Sequence, residues 1–199
     1  MMERIAEASP RFKARIAGVF WLMAILTGAF AMFARGRFGL AANLIATACY
    51  LAATVLVYDL LKPVNRNLSL LAAFFSLVGC AIGASSSLFH LGAQASNIGF
   101  VFFGLHCLLV GYLILRSTFL PRTVGALMAF GGLGWLTLSF ATLLSPPLAR
   151  SLSPYILAPG ILGELSLTVW LLVIGVNEQR WKEQASAAGA SIGEDRTAR

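Results

Sequence analysis

Residues 123–144 have the sequence TVGALMAFGGLGWLTLSFATLL, in which no side chain is charged. A helix of this length rises about 33 Å, enough to cross the hydrocarbon core of a bilayer. Backbone amides find no water in lipid, so such a stretch must be a helix or part of a closed barrel. A barrel strand would alternate apolar and polar side chains, whereas this stretch is apolar on every face. We therefore predict a transmembrane helix.

Five further stretches have the same character. The chain is 58% hydrophobic and only 12% charged, about half the charged fraction of an ordinary soluble domain. We predict an all-α polytopic membrane bundle of about six transmembrane helices. The predicted spans cover residues 14–34, 39–61, 68–91, 97–115, 123–144 and 154–176.

Lys and Arg are concentrated on one side of the predicted membrane. Of the 15 Lys and Arg residues, 12 lie in the two terminal segments, in the loop that follows the second span and in the loop that follows the fourth. Only Arg35, Arg37 and Arg150 lie on the other side. Positive residues favour cytoplasmic loops, so we predict that both termini are cytoplasmic.

The predicted transmembrane domain, residues 14–177, is flanked by two polar segments. Residues 1–13 form a basic cytoplasmic segment, and residues 178–199, rich in Ala, Ser and Gly, predict a disordered cytoplasmic tail. The basic start and the triplet Ala29-Phe30-Ala31 would also suit a cleavable signal peptide. The apolar run is long enough to span a bilayer, which favours a retained helix.

The net charge of +7 has a simple explanation in membrane topology and anionic lipid, so we predict the lipid bilayer as a partner and no nucleic acid. Cys49, Cys80 and Cys107 all lie inside apolar runs, as small buried side chains do. His90 and His106 differ too much in depth to hold one haem between them, and no HExxH pattern occurs. We expect neither a metal nor a cofactor.

Small residues recur every fourth position in the third span, at Gly79, Gly83 and Ser87. This spacing gives one smooth helix face that a second helix can approach closely. A packing seam inside the bundle is the favoured interpretation. Contact with another copy or with a protein partner through the same three residues is the alternative.

Asp59 lies near the cytoplasmic end of the second span, with Lys62 three residues later. Side chains at this spacing are neighbours on one helix face. We predict an interfacial ion pair between Asp59 and Lys62, with a structural role.

Several short motifs occur in a characteristic order. They are ARIAGVF at 14–20, LLKPVNR at 60–66, FFGLH at 102–106, LPR at 120–122 and GELSL at 163–167, followed by WLL at 170–172. Together they resemble the bacterial membrane family named domain of unknown function 4386, over roughly residues 14–177. The resemblance implies a multi-pass protein of the bacterial cytoplasmic membrane, and it implies no particular activity.

Glu164 is the candidate functional residue, because it falls about 15 Å into the sixth span, near the bilayer centre. An ionisable group at this depth is costly and usually serves a site. Pro159-Gly160, one turn earlier, predicts a bent helix with a free carbonyl at Tyr155. Such bends beside buried charge occur in transporter sites.

His106 falls at a similar depth in the fourth span, which runs in the same direction. We expect His106 and Glu164 to pair in the bundle interior and to handle a ligand or a proton. The alternative is that they serve packing alone, through a mutual hydrogen bond or with Glu164 protonated.

Three classes of function remain open at this level. The first is a small transporter-like protein with an intramembrane Glu/His site, and the second is a non-catalytic membrane partner or scaffold subunit. The third is an intramembrane enzyme, since Gly83-Ala84-Ser85-Ser86 resembles the Gly-x-Ser segment of rhomboid proteases and His106 could complete a dyad. The enzyme is the least favoured, and we predict no catalytic residue.

Overall fold

A computed structural model describes residues 9–34, 36–89 and 93–197. His90, one of the two histidines of the chain, lies outside the described residues. The described part contains seven helices. They are α1 (Pro10–Phe33), α2 (Gly36–Leu61), α3 (Arg66–Leu88), α4 (Ala93–Arg116), α5 (Arg122–Leu144), α6 (Pro146–Val173) and α7 (Glu178–Thr197).

The predicted all-α membrane fold is confirmed. Helices α1 to α5 each contain a segment long and apolar enough to cross a membrane, and α6 is a sixth if its two bent parts count as one span. The helices begin near the predicted positions, with α1 and α6 starting earlier. Ser9 caps α1 by accepting a hydrogen bond from the Phe12 N–H at 3.3 Å, which explains its early start.

The six helices form a closed ring. Each packs on the next along the chain, and α1 closes the ring by packing on α6. The end of α6 lies beside the start of α1, since a Cβ on Gly175 would lie 3.0 Å from Arg11 Cγ, so both ends of the described bundle lie on one side of it. We call this the terminal end, and we call the opposite end, where α1 joins α2, α3 joins α4 and α5 joins α6, the distal end.

The terminal half of the ring is filled by large apolar side chains. Those with 2% exposure or less include Leu60, Leu61, Leu113, Ile114 and Leu171. They come from the terminal halves of α2, α4 and α6 and pack in one cluster. Interiors packed in this way leave no room for a solute.

Helix α6 bends by 51° between its parts Pro146–Ser153 and Ala158–Val173. Pro159 lacks an N–H and its ring would clash with the carbonyl of Tyr155 in a straight helix, which accounts for a break at this position. The bend that the Pro159-Gly160 pair predicts is therefore present. The helix extends further toward the distal end than the predicted span, because Pro146 and Pro147 sit in its first turn, where proline is tolerated.

Residues 178–199 were expected to be disordered, and the structure differs. Helix α7 covers Glu178–Thr197. Its first turns are anchored: the Trp181 indole donates to the Leu60 carbonyl at 2.9 Å, and Gln184 accepts hydrogen bonds from both the N–H and the hydroxyl of Thr118. Composition predicted disorder because the tail is rich in Ala, Ser and Gly, and it carries no information about these contacts with residues far away in the sequence.

Candidate functional site

The distal half of the ring encloses an open cavity of about 400 Å³. Its walls come from α1, α2, α3 and α4, with α6 contributing Glu164. Asn43 and Ser87 lie toward the distal end, while Tyr50 and Glu164 lie near mid-depth. The residues that line the cavity therefore range from near the distal end to the centre of the bundle, where the packed terminal half begins.

Small residues make the space for this cavity. Ala24, Gly28, Ala46, Gly79, Gly83 and Gly99 all line it. A Cβ on Gly83 would meet nothing within 4 Å, so this position faces open space. Gly79 instead touches α4, since a Cβ there would come within 3.0 Å of the Gly99 carbonyl oxygen.

Glu164 is 8% exposed and lies at the inner end of the cavity. One carboxylate oxygen accepts a long hydrogen bond of 3.4 Å from the Trp21 indole N–H. The Trp135 indole lies near the same carboxylate, and its buried N–H has no hydrogen-bond partner among the described residues. The Trp135 ring fits here because Gly160 has no side chain: a Cβ on Gly160 would lie 2.7 Å from Trp135 Cε2.

His106 does not bond to Glu164. Its Nδ1 is 2.8 Å from the Ala72 carbonyl oxygen on α3, and its Nε2 has no partner among the described residues. No direct hydrogen bond therefore joins the two side chains, because the backbone carbonyl of Ala72 orients the imidazole toward α3. The two residues share a neighbour, since the Trp21 ring that bonds to Glu164 has its centroid 6.3 Å from that of His106.

Aromatic residues surround this part of the cavity. The Tyr50 ring lies 5.3 Å from Trp21, 5.2 Å from Phe103 and 5.8 Å from His106, centroid to centroid. The Tyr50 hydroxyl is buried and has no hydrogen-bond partner among the described residues. A hydroxyl in this state is available to a ligand.

Trp21, Tyr50 and Trp135 were missed from the sequence. Trp and Tyr with polar tips usually lie at the membrane interface, yet these three occur many residues from the ends of α1, α2 and α5. Their positions near the middle of the spans could have identified them as site residues, because a buried indole or phenol needs a polar partner at that depth.

The Gly79, Gly83 and Ser87 face is turned into the ring, where all three residues line the cavity. Ser87 accepts a hydrogen bond from the Asn43 amide and donates to the Gly83 carbonyl at 3.1 Å. Of the three residues, Gly79 packs closely on α4, whereas Gly83 faces the cavity, so the predicted seam inside the bundle is present at one position.

A tighter glycine seam joins α4 to α5, and the sequence analysis missed it. Gly111 and Gly125 face each other: a Cβ on either would lie 2.8–2.9 Å from the carbonyl oxygen of the other. Gly104 and Gly132 repeat the contact at 2.8–3.0 Å. Each helix carries its two glycines seven residues apart, a spacing that places both on one face.

Asp59 binds Lys62, as the spacing predicted, and also Lys13. Lys62 Nζ contacts Asp59 Oδ1, and Lys13 Nζ lies 2.5 Å from Asp59 Oδ2. Lys13 is on α1, so the network ties α1 to α2 at the terminal end. The sequence offered no way to foresee this second partner, which is 46 positions away.

The geometry gives no support to a Ser–His dyad. Ser85 is exposed on the outside of α3, while His106 is 1% exposed and bonded to Ala72. Among the described residues, no group of three or more His, Cys, Asp or Glu side chains is placed to hold a metal ion.

Comparison with known proteins identifies the family. A domain of unknown function, DUF4386, matches in two overlapping segments, residues 24–95 and 87–175. A protein of Archaeoglobus fulgidus described as uncharacterized is 32% identical over 128 residues, which cover 61% of this chain and 74% of the relative. No solved structure matches the chain. The relative comes from an archaeon, so the matches do not imply a bacterial source. The chain belongs to the DUF4386 family of membrane proteins.

Proposed function

We propose that this protein binds a small solute within the membrane and acts as a small transporter, with Glu164 in the binding site. The observation that supports this proposal is the cavity of about 400 Å³ in the distal half of the ring, which Glu164 lines. This volume lies in the range of small-molecule sites, which are concave, mostly apolar and carry a few polar groups. A carboxylate at mid-membrane depth at the end of such a cavity is the arrangement expected of a transport site.

Because the terminal half of the ring is filled by side chains, the cavity does not continue to the terminal end of the bundle. The excess of Lys and Arg at the terminal end favours a cytoplasmic position for that end. In this orientation the cavity of the proposed transporter would face the outside and be closed to the cytoplasm. The Lys13–Asp59–Lys62 network and the contact of Trp181 with Leu60 lie on the closed side.

Cysteine labelling tests the cavity directly, because Cys80 lines it and Cys107 is only 1% exposed. A variant that retains only Cys80, made by Cys49→Ser and Cys107→Ser, is treated in intact cells with membrane-impermeant sulfonatoethyl methanethiosulfonate. We expect Cys80 to react from outside, with the modified mass read by mass spectrometry.

The matched control retains only Cys107, with Cys49→Ser and Cys80→Ser, and should stay unmodified under the same conditions. Reaction of Cys80 only after the membrane is opened would reverse the proposed orientation. A Cys80 that never reacts, in intact or opened membranes, would mean that the cavity does not admit solutes and would refute the proposal.

A further inference from the structure

We infer that the ligand of this cavity is a small organic ammonium ion, with its charge at Glu164 and its apolar part against the aromatic wall. This inference rests on the proposed function and names the class of its substrate. It follows from the charges, the rings and the unpaired polar atoms around Glu164.

The ionisable side chains that line the cavity are acidic and not basic. Glu164 is the one acidic residue among the described residues that line it, and none of them is Lys, Arg or His. The other polar lining residues, Asn43, Thr47, Tyr50 and Ser87, are neutral. An anionic ligand would meet a carboxylate and no cation, so anions are disfavoured.

Glu164 has no cationic partner within the described part of the protein, where the ion pairs are those of Asp59. The hydrogen bond from Trp21, at 3.4 Å, is long for a bond to a carboxylate. A buried carboxylate in this state needs a counter-ion or a proton. A bound cation would supply the missing charge.

The wall beside Glu164 is aromatic. Tyr50, Phe100 and Phe103 line the cavity, and the Trp21 ring packs on Tyr50. Cations bind over aromatic faces because the ring quadrupole is negative there, and quaternary ammonium groups are recognised by such walls. Apolar substituents on the ligand would also fit the alanines and glycines of the walls.

A bare metal ion fits the site less well. Hard cations take six or more oxygen ligands, whereas the deep part of this cavity offers the Glu164 carboxylate and the Tyr50 hydroxyl. Tyr50 is 8% exposed as a residue, and its buried hydroxyl has no partner among the described residues, so it can accept a hydrogen bond from an ammonium N–H or bond to a ligand hydroxyl.

A binding experiment distinguishes recognition of the charge of the ligand from recognition of its shape. Choline and its uncharged carbon isostere, 3,3-dimethyl-1-butanol, have nearly the same size and share a hydroxyl. Each is titrated into the purified full-length protein in detergent by isothermal titration calorimetry, with benzyltrimethylammonium as a larger cation. We expect at least one of the two cations to bind, and to bind at least tenfold more tightly than the neutral isostere.

Two variants assign the effect to Glu164. Glu164→Gln should abolish the preference for the cation, and Glu183→Gln, the same change on an exposed residue of α7, should preserve it. The inference is overturned if the neutral isostere binds as tightly as the cations, if neither cation binds, or if the preference survives Glu164→Gln. In each of those cases, reaction of Cys80 from outside would still support the solute cavity itself.

A second measurement needs no change at Glu164 and therefore does not depend on that variant folding. Cys80 in the variant that retains only this cysteine is modified with a trimethylammonium-bearing and with a sulfonate-bearing methanethiosulfonate. The ratio of the two rates, divided by the same ratio for free glutathione, should exceed about fivefold in favour of the cation, because the carboxylate concentrates cations in the cavity. A normalised ratio of one or less would contradict the inference.

Discussion

Asp59 shows how a single residue can connect two helices. Its two carboxylate oxygens bind separate lysines, Lys13 on α1 and Lys62 on its own helix. The Lys13 side chain is 11% exposed and that of Lys62 is 44% exposed. Burial strengthens an ion pair and raises the cost of leaving one partner alone, so the two lysines should differ in their contributions.

We predict that Asp59→Asn lowers the free energy of unfolding by about 1–2 kcal/mol, because it leaves Lys13 partly buried without its counter-charge. The measurement is reversible unfolding in detergent, followed by tryptophan fluorescence. Lys62→Met is the matched comparison and should cost less than about 1 kcal/mol, as exposed pairs do. Equal losses in the two variants would show that burial of Lys13 does not strengthen its pair.

The seam between α4 and α5 sets the spacing of these two elements. At Gly111 the nearest atoms to an added Cβ are backbone atoms of α5, with Ala129 N at 2.6 Å and the Gly125 carbonyl oxygen at 2.8 Å. Backbone cannot move aside as a flexible side chain can. The two helices would have to separate along their whole contact.

We predict that Gly111→Ala destabilises the protein by about 2 kcal/mol or more, the range of overpacked cores. Gly83→Ala is the matched control, since its Cβ would meet nothing within 4 Å, and it should be neutral or slightly stabilising by helix propensity. The measurement is the thermal midpoint of each variant, determined by size-exclusion chromatography of samples heated to increasing temperatures. A loss at Gly83 as large as that at Gly111 would contradict the seam.

The order of helix α7 depends on its contacts with the rest of the protein. Its own sequence is polar, so isolated helicity contributes little and the tertiary contacts decide its order. The most buried of these contacts is the hydrogen bond from the Trp181 indole to the Leu60 carbonyl. Phenylalanine at this position keeps the ring and removes the donor.

We predict that Trp181→Phe speeds hydrogen–deuterium exchange across residues 178–190 and lowers the stability of the docked helix by about 1 kcal/mol, the net value of one hydrogen bond. Exchange in α1 to α6 should change little. Lys182→Gln, an exposed neighbour, serves as the control. Unchanged exchange in the Trp181→Phe protein would show that other contacts hold α7.

At the scale of the whole molecule, the start of α1 and the end of α6 lie at the terminal end of the bundle, and the excess of Lys and Arg there favours a cytoplasmic position for that end. We predict that green fluorescent protein fused to the C-terminus will fluoresce in a bacterial host, and that alkaline phosphatase fused at the same place will be inactive. A phosphatase inserted between α5 and α6, at Ser145, should be active. The reverse pattern would invert the orientation and place the cavity toward the cytoplasm.

The sequence by itself determined the all-α membrane fold, the approximate positions of the apolar helices and the ion pair between Asp59 and Lys62. These properties depend on stretches of about 20 apolar residues and on local spacing, such as that between Asp59 and Lys62, and both can be counted along the chain. The mid-depth position of Glu164 and the bend at Pro159 followed for the same reason. Each is a property of one helix.

Tertiary structure alone decided which side chains meet. It paired Glu164 with Trp21 rather than His106, joined Lys13 to Asp59, placed Gly111 against Gly125 and ordered α7 through Trp181. These contacts depend on the rotation of each helix about its axis and on which helices are neighbours. An apolar span carries little information about its rotation, because lipid and the protein interior are nearly equally apolar and only packing and polar contacts distinguish its faces.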